Sequence, residues 1–164
     1  MGVGIIAKFE ISPVEEYIKL LEQQGDNVQE IINKSIYQGA AIAADEIRKE
    51  INNLNVVEKV TQKGVLNWEK KALLKGFGIS KLKKSGNVSD VKIGFDGYSD
   101  HITKTHRNGV PIPLLARAIL KGTSFRSKND FIKRAVNRVK KKVILKMDET
   151  INEELEKEMK KNGK

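Results

Sequence analysis

The chain has 164 residues, 39% hydrophobic and 5% aromatic, which suits one domain with a largely aliphatic core and is short for two. It has no cysteine, which excludes disulfides, thiol nucleophiles and cysteine-ligated zinc, and no apolar run approaches the roughly 18 residues of a membrane helix. A formal net charge of +10 favours an anionic partner without choosing between nucleic acid, lipid and an acidic protein surface.

In chain order, Gly2 to Ile11 read as a strand, dense in apolar residues that alternate with Lys8 and Glu10. The opening Met1 to Lys8 lacks the basic region that begins a signal peptide. Ser12 and Pro13 then open a short helix, with Glu15 and Glu16 near its positive end, and Gly25 closes it. Asp26 is placed to cap a longer helix, with Gln29 at the capping-box position. Its apolar stripe runs from Val28 through Ile47 to Leu54, and its centre, Gly39 to Ala44, is small on several faces. Small residues let another backbone approach closely, so this helix is expected to be central and packed on more than one side.

Between Asn55 and Gly86 the periodicity weakens. Val56, Val65 and Trp68 read as partly buried loop or short extended pieces, with Gly76 and Gly78 breaking any helix. Ser89 to Phe95 alternates as one strand, pairing either with the N-terminal strand or with a piece near Gly76 to Leu82. Gly97 to Gly109 is polar and expected to be a mobile loop. Pro111 to Lys121 reads as a helix closed by Gly122 in left-handed αL geometry, with Leu114, Leu115, Ala118 and Ile119 inward. Ser127 is placed to cap the last helix, whose stripe runs from Phe131 through Val139 to Leu155 and Met159. That helix outruns a small core, so its distal part is expected to project or to pack on a neighbouring subunit. The whole chain is read as a single α/β (α+β) domain: a small, mostly antiparallel sheet covered by helices, with long central and C-terminal helices.

Candidate chemistry is thin. His101 and His106 share no helical face and read as ordinary surface residues, not as a metal site with Asp96 or Asp100. Gly76-Phe77-Gly78 lacks the third glycine and the preceding strand of a dinucleotide loop, and no nucleophile elbow occurs. Glu15-Glu16 and Glu153-Glu154 fit solvated helix faces better than acid–base pairs. No catalytic residue, metal or cofactor is expected, and the chain is not read as an enzyme.

Charge is more informative. Lys81, Lys83 and Lys84 cluster, and a second basic group runs from Arg126 and Lys128 through Arg134 and Arg138 to Lys146. From Asp148 to Glu158 the last helix turns acidic. Its basic half carries no aromatic or amide readers, which a base-reading helix needs. The sign reversal fits end-to-side packing of identical subunits. A basic nucleic-acid-binding protein is the alternative, because non-specific phosphate contact needs only positive charge.

One segment adds a likeness. The helix Pro113 to Lys121, the turn Gly122-Thr123-Ser124-Phe125 and the run Phe131-Ile132-Lys133-Arg134-Ala135 together resemble the C-terminal signature of the phage head–tail joining and tail-completion family. The likeness covers most of the chain in element order and is nearest to versions from defective prophages and phage-tail-like bacteriocins of Gram-positive bacteria. Where that family often has prolines, this chain has Asp130 and Ala135, which implies a more continuous terminal helix. The resemblance implies a subunit whose copies form a ring, hexameric by that likeness, at the head-proximal end of a tail tube. The ring would be a neck, collar or tail-completion (terminator) piece. Its implied partners are its own copies, the tail tube, the sheath and other neck proteins, with non-specific DNA contact in the lumen and no membrane. Assembly would take place in the bacterial cytoplasm, and the subunit would end in the phage or phage-tail-like particle. The subunit-interface candidates are Arg117, Gly122, Thr123, Ser124, Phe131, Arg134, Arg138, Glu153 and Glu154.

Overall fold

Across residues 4–7, 27–60, 63–86 and 88–162, which the computed structural model describes, the elements follow in this order. They are β1 (Gly4–Ala7), α1 (Val28–Asn52), α2 (Asn67–Gly76), β2 (Phe77–Ile79), β3 (Lys83–Ser85), β4 (Val88–Asp90), β5 (Ile93–Phe95), α3 (Ile112–Lys121) and α4 (Phe131–Asn162). The architecture is α+β, with small antiparallel sheets against long helices. Of the strand expected over Gly2 to Ile11, Gly4–Ala7 is described. The short helix opened by Ser12, and the capping residue Asp26, lie outside the described residues.

The stripe on α1 buries Ile31, Ser35, Gly39, Ala43, Ile47 and Ile51, one position per helical turn. Against it α4 runs antiparallel. Glu50 and Glu46 on α1 meet Arg134 and Arg138 near one end, and Lys34 meets Glu154 near the other. Asn27 donates to Glu158 one turn further on, at 3.0 Å. The distal half of α4 therefore does not project: it lies along α1 as far as Glu158 and leaves its outer face open. Midway, a Cβ added to Gly39 would stand 2.8 Å from Cγ and Sδ of Met147 and 3.2 Å from Val143. At the small centre of α1, side chains of α4 thus occupy the space a larger residue would need.

The larger sheet has the order β1-β5-β2, so both partners considered for the Phe95 strand are realised, one on each side. Phe77 and Gly4 each stand opposite Phe95. All three residues of β5 are buried, as suits a central strand. The single strand expected over Ser89 to Phe95 is split, however. β4 leaves to pair with β3, and the chain turns at Val91 and Lys92. Two bonds to Ser80 hold that corner: its N–H donates to the Lys92 carbonyl at 2.7 Å, and its Oγ accepts the Lys92 N–H at 2.9 Å. Ser89 is taken up by α1 instead, bonding to Gln29 at 2.7 Å and to Asn33 at 3.0 Å. Gln29 thus makes this contact from the first turn of α1, while its expected capping partner Asp26 is outside the described residues.

Three further expectations are corrected. The weak region contains a helix, α2, which starts where the Glu69 carboxylate accepts the Leu66 N–H at 2.7 Å and which buries Ala72 and Leu73. Gly76 is its last residue, and the Gly76 carbonyl accepts the Asp96 N–H at 2.9 Å. On α3 the inward face is Ile112, Leu115, Ala116 and Ile119, while Leu114 is exposed. The last helix begins at Phe131, after Asp130, whose carbonyl accepts the Arg134 N–H, so Ser127 is not its cap. The core gathers Ile47, Ile51, Leu73, Phe95, Ile112, Ile119 and Phe131, all fully buried. Each contributes about 1.5–3 kcal/mol of apolar burial.

The polar seam between α1 and α4 is expected to weaken in acid. Lys157 first, and then Lys34, holds the Glu154 carboxyl down to about 2, and Arg138 chiefly lowers that of Glu46. A carboxyl lowered in the folded state adds stability above its ordinary value of 4.5 and loses it as the pH falls through the folded value. The urea midpoint is expected to hold above pH 4.5 and to decline from there towards pH 2, with a shallower decline in Glu154→Gln. Identical acid slopes in the two proteins would contradict this assignment.

Candidate interaction surface

α3 ends at Gly122 with φ 77 and ψ 172. This is not the αL closure expected from the sequence: φ is positive, but ψ is extended, a region essentially restricted to glycine. A Cβ there would also stand 2.9 Å from the Arg126 carbonyl oxygen and from the Lys128 nitrogen. The chain then folds into a tight turn. The Thr123 N–H donates to the Arg126 carbonyl at 2.9 Å, and the Arg126 N–H returns to the Thr123 carbonyl at 3.3 Å. Within it, Thr123 Oγ1 accepts the Phe125 N–H at 3.3 Å, a hydroxyl satisfying the turn's own backbone. The turn presents Phe125 with 69% of its surface exposed.

Beneath the turn lies an ion pair. By sequence, Arg126 belongs with the basic cluster of the last helix; in the structure it points inward. Its Nη2 donates to both carboxylate oxygens of Glu69 on α2, at 2.8 and 2.6 Å. The two side chains are 5% and 6% exposed, and Nε of Arg126 is buried with no hydrogen-bond partner among the described residues. Because the same carboxylate caps α2 through Leu66, one group joins the start of α2 to the end of the turn. Asn129 completes the anchoring by donating its N–H to the Ile119 carbonyl at 3.1 Å.

Other sequence candidates separate into two groups. Arg117 is exposed on α3 beside Leu114 and Lys121, and neither cation has an ion-pair partner among the described residues. Thr123, Ser124 and Glu153 are also exposed, and Gly122 is half-buried. Phe131, by contrast, is fully buried core and offers no surface to a neighbour. Arg134 and Arg138 are committed to Glu50 and Glu46, and Glu154 to Lys34 and Lys157. Part of the charge on each half of the last helix is thus paired within the chain. Met159, placed on the inward stripe by its spacing, is instead 53% exposed.

The long loop after β5 is stitched to itself and to α2. Ser99 donates its N–H to Val110 at 2.9 Å, and Gly109 packs directly on the Ser99 backbone. His101 stacks on Trp68 at 4.0 Å, and His106 Nδ1 lies 3.1 Å from Thr105 Oγ1. Among the described residues, no three His, Cys, Asp or Glu side chains come together as a metal site. No protein-family model matches the sequence, and no curated protein or solved structure is significantly similar to it.

Sequence reasoning named the turn but not Phe125 as its exposed tip, and it missed the Arg126–Glu69 pair altogether. An arginine in a basic run carries no local mark of burial. Removing either partner leaves a charge buried alone, so Arg126→Ala or Glu69→Ala should lower the unfolding free energy by about 3–5 kcal/mol. The double replacement Arg126→Met with Glu69→Leu should regain most of that loss. Single variants costing under about 1 kcal/mol in urea unfolding would show the pair to be unimportant.

Proposed function

We propose that this chain is a structural subunit of a phage-tail-type particle, building a neck, collar or tail-completion ring at the head-proximal end of the tail tube. The reading rests on the likeness of the Gly122 turn and its flanking helices to the tail-completion signature. The observation that carries it furthest is the turn itself, which is anchored by a buried ion pair and holds an exposed aromatic side chain that a partner could cover. Aromatic side chains are enriched at protein–protein interfaces relative to the rest of the surface. On this reading the chain is not an enzyme and takes no cofactor. It meets its own copies, the tube and the sheath or other neck proteins, first in the bacterial cytoplasm and then in the particle.

A specific observation keeps nucleic-acid binding as the second reading. Lys83 and Lys84 on β3 and Lys81 just before it lie exposed, as do Lys133, Lys140, Lys141 and Lys142 on α4, without ion-pair partners among the described residues. On the ring reading the same cations could face DNA in the lumen.

Light scattering of the purified chain, together with duplex-DNA titration at several salt concentrations, separates the two. The ring reading predicts one closed oligomer of defined mass and weak DNA affinity. A monomer that binds DNA tightly, with affinity falling steeply as salt rises, would favour the second reading.

A further inference from the structure

The fold separates the two groups of unpaired lysines and makes them unequal. Ser89 on β4 meets α1 at Gln29 and Asn33, whereas the basic half of α4 meets it at Glu46 and Glu50. At 1.5 Å per residue the two groups therefore lie about 20 Å apart along α1. On the ribbon the positive charge is divided. Lys83 and Lys84 are successive strand residues and point to opposite faces. Lys83 stands across from the acidic Asp90, and Lys84 shares its face with Ser89, which is turned towards α1.

On α4 the charge is gathered. Lys133, Asn137, Lys140 and Lys141 are neighbours at three- and four-residue spacing, all exposed, and form one outward row about 12 Å long. None of the three lysines has an ion-pair partner among the described residues, and no carboxylate occurs on α4 before Asp148. The nearest carboxylates of α1, Glu50 and Glu46, are already matched by Arg134 and Arg138. The row thus faces outward with its positive charge unopposed. Cations crowded on one face repel each other, so the arrangement gains only when an anion lies against it.

We propose that this row is the surface on which the chain holds duplex DNA, through phosphates and without regard to sequence. Duplex DNA carries about one negative charge per 1.7 Å of its axis, so phosphate is available along the whole row. Asn137 adds a neutral donor of the kind that also meets phosphate. A lipid surface suits the row less well. The apolar face of this half of α4, with Phe131, Ala135, Val139 and Val143, is buried, and the row has no apolar side chain to insert. The inference rests on the nucleic-acid reading and names its contact surface; the ring reading does not depend on it.

The test titrates the full chain with a labelled duplex DNA of mixed sequence at several salt concentrations. In Lys133→Gln/Lys140→Gln/Lys141→Gln, the slope of log affinity against log salt should be shallower than wild type by about three. Its affinity at low salt should fall on the order of 100-fold. Lys81→Gln/Lys83→Gln/Lys84→Gln removes the same formal charge and should keep the wild-type slope. All six side chains are exposed, so both variants should keep the wild-type urea midpoint. Equal loss of slope in the two variants, or none in the α4 variant, would overturn the assigned surface and leave the nucleic-acid reading standing. Tighter binding to anionic vesicles than to DNA would overturn the choice of partner. A wild-type chain that does not bind duplex DNA even at low salt would remove both the surface and that reading.

Discussion

The rest of the molecule depends on the antiparallel contact between α1 and α4. At Gly39 there is no side chain to hold Met147 and Val143 away, and towards both ends the contact is tied by ion pairs. Apolar burial supplies most of the attraction, and the polar ties fix the register. With that pair set, the three-stranded sheet has a surface to cover, and Phe131 at the start of α4 enters the common core. The turn before Phe131 is then held from both directions, by the core on one side and by the Arg126–Glu69 pair on the other.

The same contact changes the meaning of the charges. A helix that passes from basic to acidic suggests, taken alone, a polar rod seeking oppositely charged neighbours. Placed against α1, the rod meets many of its neighbours inside the chain: Arg134 and Arg138 against carboxylates of α1, Glu154 against Lys34. What remains for a partner is narrower and lies on the outward side, together with the exposed apolar residues.

Local pattern made α1, α3 and α4 legible, along with the small centre of α1 and the importance of Gly122. It could not separate inward from outward where the two differ by a single position. Leu114 and Leu115 look alike in sequence, but Ile112, Ala116 and Ile119 complete the buried face with Leu115 alone. Alternation from Ser89 to Phe95 reported which side each residue faces, not that the chain changes sheets at Val91. α2 was hidden because Gly76 and Gly78 read as breakers, although the first only ends the helix and the second sits in a strand. Long-range pairs such as Arg126 with Glu69 leave no periodic trace, since their partners meet only once the helices have packed.

The proposed place of this chain is one end of a tail tube. It is tested most directly by tagging the chain, isolating particles from cells that produce it, and imaging the tag by electron microscopy. The account predicts label confined to the head-proximal end of each tube. Label spread along the tube, or particles complete without the chain, would contradict it.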